Sequence, residues 1–393
     1  MKPPVKKIKV ALIHNIMSPY RVALFNHLAA VPQLALYIYF LASTDKSRKW
    51  EIPELSGKFT YKVLPGLTFN FHPNKDLFAY RVNPSIAPEL IRNKYDIIVS
   101  VGYASFTNHL AFLLCKIYRK PFVLCSESTI NEPSLFRSVS LPLIKLIIRH
   151  SDALIAYGTR AKEYLIHLGA PSNRIFMAYN TVDTDFFKRE SSKLRTEGRR
   201  LKGELGIENK SIILYVGQLI ERKGIKYLLK AYSRLKREND VACLIVGDGP
   251  QRTELVDLCT RENIKDVFFV GHKQLREMAG YYVISDIFVL PSTQEVWGLV
   301  LNEAMACGLP VVTTDKVGAS VDLVKDGVNG YVVEAGHVEQ LYQAMRKILS
   351  SPELKLSMGK KSQDVIDAGF GVEKANRGFT DAILTVASSR GLT

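Results

Sequence analysis

Short apolar runs alternate with helically spaced segments through most of the second half of the chain. Residues 211–216 (SIILYV) are a continuous apolar run closed by Gly217, and residues 225–235 carry apolar side chains at helical spacing. The runs at 242–246, 267–270, 287–290, 311–314 and 330–333 repeat this strand-like character. Most end in glycine or proline, which punctuate local structure. Between them, residues 275–284 and 299–306 read as helices, the second capped by Gly308. Apolar strands alternating with helices predict right-handed crossovers and a parallel sheet covered on both faces. The first half repeats the pattern less regularly, with strands expected at 9–13, 34–40, 61–64, 97–100, 122–125 and 153–156. The fold class is therefore α/β, with two Rossmann-like domains. The polar stretch 187–203 shows no apolar periodicity and reads as their boundary, giving domains at 1–187 and 188–365. Residues 366–393 read as a C-terminal helix that crosses back to the first domain.

A chain of 393 residues, 47% hydrophobic and 23% charged, is long enough for two cores and excludes a disordered or fibrous protein. No apolar stretch approaches the roughly 20 residues of a spanning helix. The start, MKPPVKKIKVALIH, is basic and then apolar, but its apolar run is short and ends in His14 and Asn15. It reads as a first strand, not a signal peptide. The five cysteines (115, 125, 243, 259 and 307) form no C-x-x-C and are odd in number, which points to a reducing compartment.

Charge is unevenly spread. Residues 1–190 hold 25 Lys+Arg against 13 Asp+Glu, a balance of +12, whereas residues 191–393 hold 28 against 25, a balance of +3. No nucleic-acid-binding signature accompanies the basic half. Amphipathic basic stretches do, at 86–94 and 142–149. An anionic membrane surface is the partner this pattern favours. The expected location is cytoplasmic, at the inner face of the membrane.

The densest chemistry lies in residues 291–310, PSTQEVWGLVLNEAMACGLP. Pro291 ends a strand at its carboxyl edge, where open α/β sheets bind ligands. Glu295 lies in the following loop. Gly298 precedes a helix and lets backbone approach a ligand closely. The amides of Leu299 and Val300 point out of that helix N-terminus, an anion site. Glu303 lies about one turn further along. A phosphate on the amides and a carboxylate accepting sugar hydroxyls fit this pattern. A second cluster, Gly217-Gln-Leu-Ile-Glu-Arg-Lys-Gly224, also follows a strand end. Its Arg222 and Lys223 could neutralise a diphosphate without metal. Neither half carries a clean G-x-G-x-x-G or a P-loop, which disfavours NAD and P-loop nucleotide sites.

The spacing Glu295-x7-Glu303, followed by Ala304-Met-Ala-Cys-Gly-Leu-Pro-Val-Val312, resembles the signature of the family 4 (group 1) retaining glycosyltransferases. Further parts of the resemblance are Val246-Gly-Asp-Gly-Pro250, Tyr282…Ser285-Asp-Ile-Phe-Val-Leu-Pro-Ser292 and Asp326-Gly-Val-Asn-Gly330. It covers about residues 180–345. The resemblance implies the GT-B fold, in which two Rossmann-like domains face each other across a cleft. It implies transfer of a sugar, with retention, from a nucleotide diphosphate to a hydroxyl of a saccharide or lipid-linked acceptor. Envelope polysaccharide, lipopolysaccharide or glycolipid synthesis is the expected setting. The N-terminal domain would bind the acceptor. Glu303 would bind the ribose, Glu295 the donor sugar and Lys223 the diphosphate. The backbone near Gly271 and His272 would edge the base, and Gly298, Leu299 and Val300 would cradle the distal phosphate. The family generally needs no metal and no cofactor beyond the nucleotide-sugar donor. A uridine donor is placed ahead of a guanosine one.

Three positions depart from the family pattern. Gln218 follows Gly217 where an arginine is usual, and Arg222 is the available substitute. A Gly-Gly loop is replaced by Asn15-Ile-Met-Ser-Pro-Tyr-Arg21, in which Arg21 adds a cation on the N-terminal side of the phosphate site. After the strand at 122–125 stands Ser126-Glu127-Ser128, with Glu127 as either the carboxylate beside the reacting centre or a solvated residue. His14 and His109 read as structural. The competing functions are a GT-B epimerase or phosphorylase, and a non-catalytic sugar-nucleotide-binding protein.

Overall fold

The computed structural model describes residues 7–45, 59–71, 78–130 and 137–392. The chain divides into two compact units, one made of residues 1–180 and 372–393, the other of residues 181–371.

The first unit is built on strands β1 (Ile8–Ile16), β2 (Leu34–Ala42), β3 (Thr60–Val63), β6 (Ile97–Val101), β7 (Phe122–Ser126), β8 (Ala153–Ala156) and β9 (Ile175–Met177). They form one sheet in the order β3-β2-β1-β6-β7-β8-β9. Helix α1 (Pro19–Ala29) follows β1, and α2 (Ile86–Arg92), α3 (Phe106–Ile117), α4 (Arg137–His150) and α5 (Thr159–His167) lie between the later strands. Residues 122–126 are buried without alternation, as a parallel strand covered on both faces requires. One face packs against α1 and the last helix of the chain, through Leu24, Phe25, Phe379 and Ile383. The other packs against α2 to α5, through Ile86, Phe112, Ile147 and Leu165.

Two elements here were not expected from sequence. β9 is only three residues long. Strands β4 (Leu67–Phe71) and β5 (Phe78–Val82) pair antiparallel as a separate hairpin, with Phe69 opposite Tyr80. Its polar side is held inward by Arg81, which is buried and donates to Asp45 at 2.8 Å.

The second unit contains β10 (Ser211–Val216), β11 (Val241–Val246), β12 (Val267–Gly271), β13 (Ile287–Leu290), β14 (Val311–Thr314) and β15 (Gly330–Val333). All are parallel, in the order β12-β11-β10-β13-β14-β15. Its helices are α6 (Thr184–Glu204), α7 (Ile225–Lys236), α8 (Arg252–Arg261), α9 (Leu275–Ile284), α10 (Leu299–Ala306), α11 (Ser320–Leu323), α12 (Val338–Leu349) and α13 (Pro352–Gly369). The final helix, α14 (Val372–Ser389), belongs to the first unit.

The stretch 187–203 is not an irregular boundary. It lies inside α6, whose N-cap Asp183 accepts from the Phe186 amide at 2.9 Å. The division between units falls before this helix, at 180/181, rather than at Phe187. The stripe of α6 is sparse but real. Phe187 is buried and meets Tyr282 edge-on, and Leu201 lies beside Gly280 of α9. Charged residues filling the remaining turns hide that periodicity in the sequence.

Candidate nucleotide-sugar site

β10 pairs with β11 on one side and β13 on the other, so strand order reverses at β10. Ligands bind at such a switch point, beyond the carboxyl ends of the strands. The loops after β10 and β13 emerge there side by side. Their backbones interlock: the Arg222 carbonyl accepts from the Thr293 amide at 2.8 Å and the Gln294 amide at 3.3 Å. Gly224, at φ +67°, sits so close that a Cβ would lie 2.1 Å from the Pro291 carbonyl oxygen. The short 3-10 turn Glu221–Lys223 is thereby fixed against the second loop.

This latch brings the charged groups together. Lys223 Nζ donates to Glu295 Oε2, and Arg222 Nη1 lies 3.9 Å from Glu295 Oε1. The Lys223 and Glu295 side chains are only 12% and 13% exposed, so their attraction is weakly screened. A third loop supports Glu295 from behind. Its amide donates to the Lys316 carbonyl at 3.1 Å, and the Gly318 amide donates to its carbonyl at 2.9 Å.

Gly298 adopts φ +99° and starts α10 without a side-chain cap. The first amides of α10 are thus not claimed by a capping side chain. Leu299 and Val300 stand half-buried in this first turn. Glu303, one turn on, is fully buried, and its Oε2 accepts from the Tyr282 hydroxyl at 2.7 Å. Tyr282 is the partner that sequence reasoning passed over. It stood inside a quoted motif, but its helix and that of Glu303 meet only in the fold.

Of the remaining expected residues, Gly217 and Gln218 open the same loop as Lys223. The Gln218 carbonyl, next to Gly217, accepts from the Tyr215 hydroxyl at 2.9 Å. His272 is exposed just after β12. Arg21 and Glu127 belong to the first unit, in α1 and just after β7. Arg21 is buried, with its guanidinium 4.7 Å from the centroid of the Tyr157 ring. Burial raises the Tyr157 phenol well above its usual range; the Arg21 charge opposes this and Glu127 adds to it. Glu127 itself is exposed. Beside Arg21, His14 is buried and contacts the Ile16 carbonyl through Nδ1 at 3.0 Å. Its pKa is pushed down to about 3, by burial first and by Arg21 second. His109 is lowered by burial, while its ring bonds the Tyr103 carbonyl at 2.8 Å. Among the described residues, no group of three or more His, Cys, Asp or Glu side chains is placed to hold a metal.

Two family models match the chain. Residues 199–365 match "Glycosyl transferases group 1", and residues 38–186 match "Glycosyltransferase Family 4". The N-acetyl-alpha-D-glucosaminyl L-malate synthase of Bacillus anthracis is 30% identical over 235 residues, covering 59% of this chain and 59% of that protein. The alpha-D-kanosaminyltransferase of Streptomyces kanamyceticus is 28% identical over 281 residues, covering 67% and 70%. The chain thus spans less than two thirds of the length of that malate synthase. In fold it matches Anabaena Alr3699/HepE, solved in complex with UDP, at a TM-score of 0.76 and 19% identity, over 96% of this chain and 100% of that one. The two matched ranges fall in both units, and the first contains the loops that join Lys223 to Glu295: the chain belongs to the family 4, group 1 glycosyltransferases and has the GT-B fold.

Proposed function

We propose that this protein transfers a sugar, with retention of anomeric configuration, from a UDP-sugar to a hydroxyl of a saccharide or lipid-linked acceptor. The observation that carries the reading is the convergence of Lys223, Arg222 and Glu295 beside the uncapped start of α10. Breaking a sugar–phosphate bond builds negative charge on the departing diphosphate. Lys223, Arg222 and the amides of Leu299 and Val300 supply the positive field that stabilises it. Glu295 exchanges its ion pair for the hydroxyls of the donor sugar as the diphosphate takes over Lys223. Glu303, braced by Tyr282, accepts from the ribose, and the backbone at Gly271 and His272 borders the base. The second unit is the donor domain. The first is the acceptor domain, to which Arg21 and Glu127 contribute.

The uridine assignment is supported by the structural neighbour Alr3699/HepE, solved with UDP and with UDP-glucose. The basic first half favours an acceptor carried at an anionic membrane, as in envelope polysaccharide or glycolipid synthesis. The test is release of UDP from a panel of UDP-sugars in the presence of EDTA, with and without lipid-linked acceptors. Activity with one donor, undiminished by EDTA, and a product of unchanged anomeric configuration by NMR are expected. An inverted product, or loss of activity on chelation, would refute the mechanism.

A further inference from the structure

Helices α3 and α4 each have two apolar sides. Their inner sides enter the core of the first unit through Ala111, Phe112 and Cys115, and through Ile144, Ile147 and Ile148. Their outer sides should then be polar, and they are not. On α3, Phe106, Leu113 and Ile117 are 39%, 54% and 60% exposed, with Leu110 half-buried between them. The spacing of four, three and four residues makes these one stripe along the solvent side, about 17 Å long. On α4, Leu143 and Leu146 are 40% and 48% exposed. The carboxyl ends of the two helices meet, where Lys116 near the end of α3 donates to the His150 carbonyl at the end of α4 at 2.5 Å. Scattered exposed leucines are ordinary, but an apolar stripe that runs the length of a helix, with more exposed leucines on the helix whose end it meets, marks an interaction surface.

The charges around the stripe identify what covers it. Neither helix contains an aspartate or glutamate. Lys116 lies 3.9 Å from the Asp152 carboxylate, whereas Arg119 and Lys120 just after α3, and Lys145 and Arg149 on α4, form no ion pair among the described residues. A protein partner with an ordinary mixed surface does not require so one-sided a fringe. An anionic bilayer matches both parts, with acyl chains for the stripe and headgroups for the cations.

We infer that the outer face of α3 and α4 is a membrane-docking face that inserts Phe106, Leu113, Ile117, Leu143 and Leu146 into an anionic bilayer. This rests on the membrane reading above and not on glycosyl transfer. It also changes its physics, because binding held by insertion as well as charge is not abolished by screening. The stripe runs to Phe106, at the carboxyl edge of the sheet where α3 begins. An acceptor anchored in the same bilayer would therefore reach that edge without leaving the membrane.

The experiment is co-sedimentation with vesicles of phosphatidylcholine and phosphatidylglycerol at equal parts, against phosphatidylcholine alone. The wild type is expected to bind the anionic vesicles and to keep a measurable fraction bound at high salt. Leu113→Gln/Ile117→Gln/Leu146→Gln is expected to lower partitioning tenfold or more and to remove the salt-resistant fraction. A Leu113→Trp reporter should be quenched by brominated lipid. Unchanged thermal stabilisation by UDP serves as the check that the variants remain folded. If the wild type binds but the triple variant binds equally, this face is wrong while the membrane reading stands. If no vesicle is bound, both fail. A concentration-dependent dimer lost in the triple variant, without vesicle binding, would assign the face to a second copy instead.

Discussion

Replacing Lys223 by alanine removes a side chain with two jobs, and the structure allows them to be separated. Without ligand, Lys223 is the donor to Glu295, and the next cation, Arg222, stands 3.9 Å away. Both members of the pair are nearly nine-tenths buried. Removing one partner of a buried pair typically costs about 3–5 kcal/mol, because the other charge stays desolvated. Arg222 offsets part of this, which places the loss of stability near the lower bound, about 3 kcal/mol. In the reaction, the lost group is one stabiliser of the leaving diphosphate, worth about 2.7–4 kcal/mol in the transition state, or roughly a hundredfold to a thousandfold in turnover. Glu295→Gln in the same chain removes the stranded charge. The double variant Lys223→Ala/Glu295→Gln should therefore recover most of the stability in urea denaturation while turnover stays at least a hundredfold down. Gln218→Arg in the Lys223→Ala background should restore part of the activity, by supplying the charge that position lacks. The assays are UDP release at saturating donor and equilibrium denaturation of each variant. If turnover returns together with stability in the double variant, Lys223 only neutralises Glu295 and the leaving-group assignment is wrong.

Glu303→Gln should weaken UDP binding about tenfold or more, since a charge-assisted hydrogen bond is worth roughly 1.5–3 kcal/mol; Tyr282→Phe should do less. Calorimetric titration showing an unchanged Kd beside a lowered stability would mean that the pair merely braces α10 against α9. Gly224→Ala must place a Cβ against the Pro291 carbonyl and hold alanine at φ +67°, so it should cost about 2 kcal/mol or more and lower turnover by shifting Lys223. A variant as stable and active as the wild type would show that the two loops are not latched there. For pH, the folded His14 titrates at about 3 against 6.5 in a free histidine. Between these values the unfolded chain holds a proton that the folded chain refuses, so this contribution is complete above pH 6.5 and is lost as pH falls toward 3. His14→Phe should flatten the stability curve over that window; parallel curves for the two proteins would rule out His14 as a source of acid sensitivity.

The central strands of the second unit, β10, β11, β13 and β14, were legible because they are buried on both faces. A run such as residues 242–246 needs no alternation and stops at the glycine where the chain must turn. Glu295, Lys223 and Gly298 were legible for a related reason: strand ends followed by glycine and charge mark the ligand edge of any open α/β sheet. The apolar stripe of α6 was not, because few apolar positions lie among many charges. Its helical state is decided by α9, which covers Phe187 and Leu201. The β4–β5 hairpin escaped for the opposite reason. Its apolar side faces solvent, with Leu67 and Phe71 64% and 48% exposed, so its pattern reports no core.

The resemblance of its motifs pointed to the family and to the residue types expected at the site; which residues touch was decided by strand order. Lys223 and Glu295 stand 72 positions apart and meet because β13 returns beside β10, past the two strands that precede it in sequence. Tyr282 reaches Glu303 because α9 and α10 flank the same strand, β13, and a buried carboxylate needs a donor. The sequence likewise showed the basic stretches at 86–94 and 142–149, but it could not show which side of α3 faces water. Apolar side chains lie all around that helix, and only the position of the sheet beneath it leaves Leu113 and Ile117 outside. Local pattern fixes what each segment tends to be. Burial by a distant segment fixes which face of it is spent on the core and which remains for a partner.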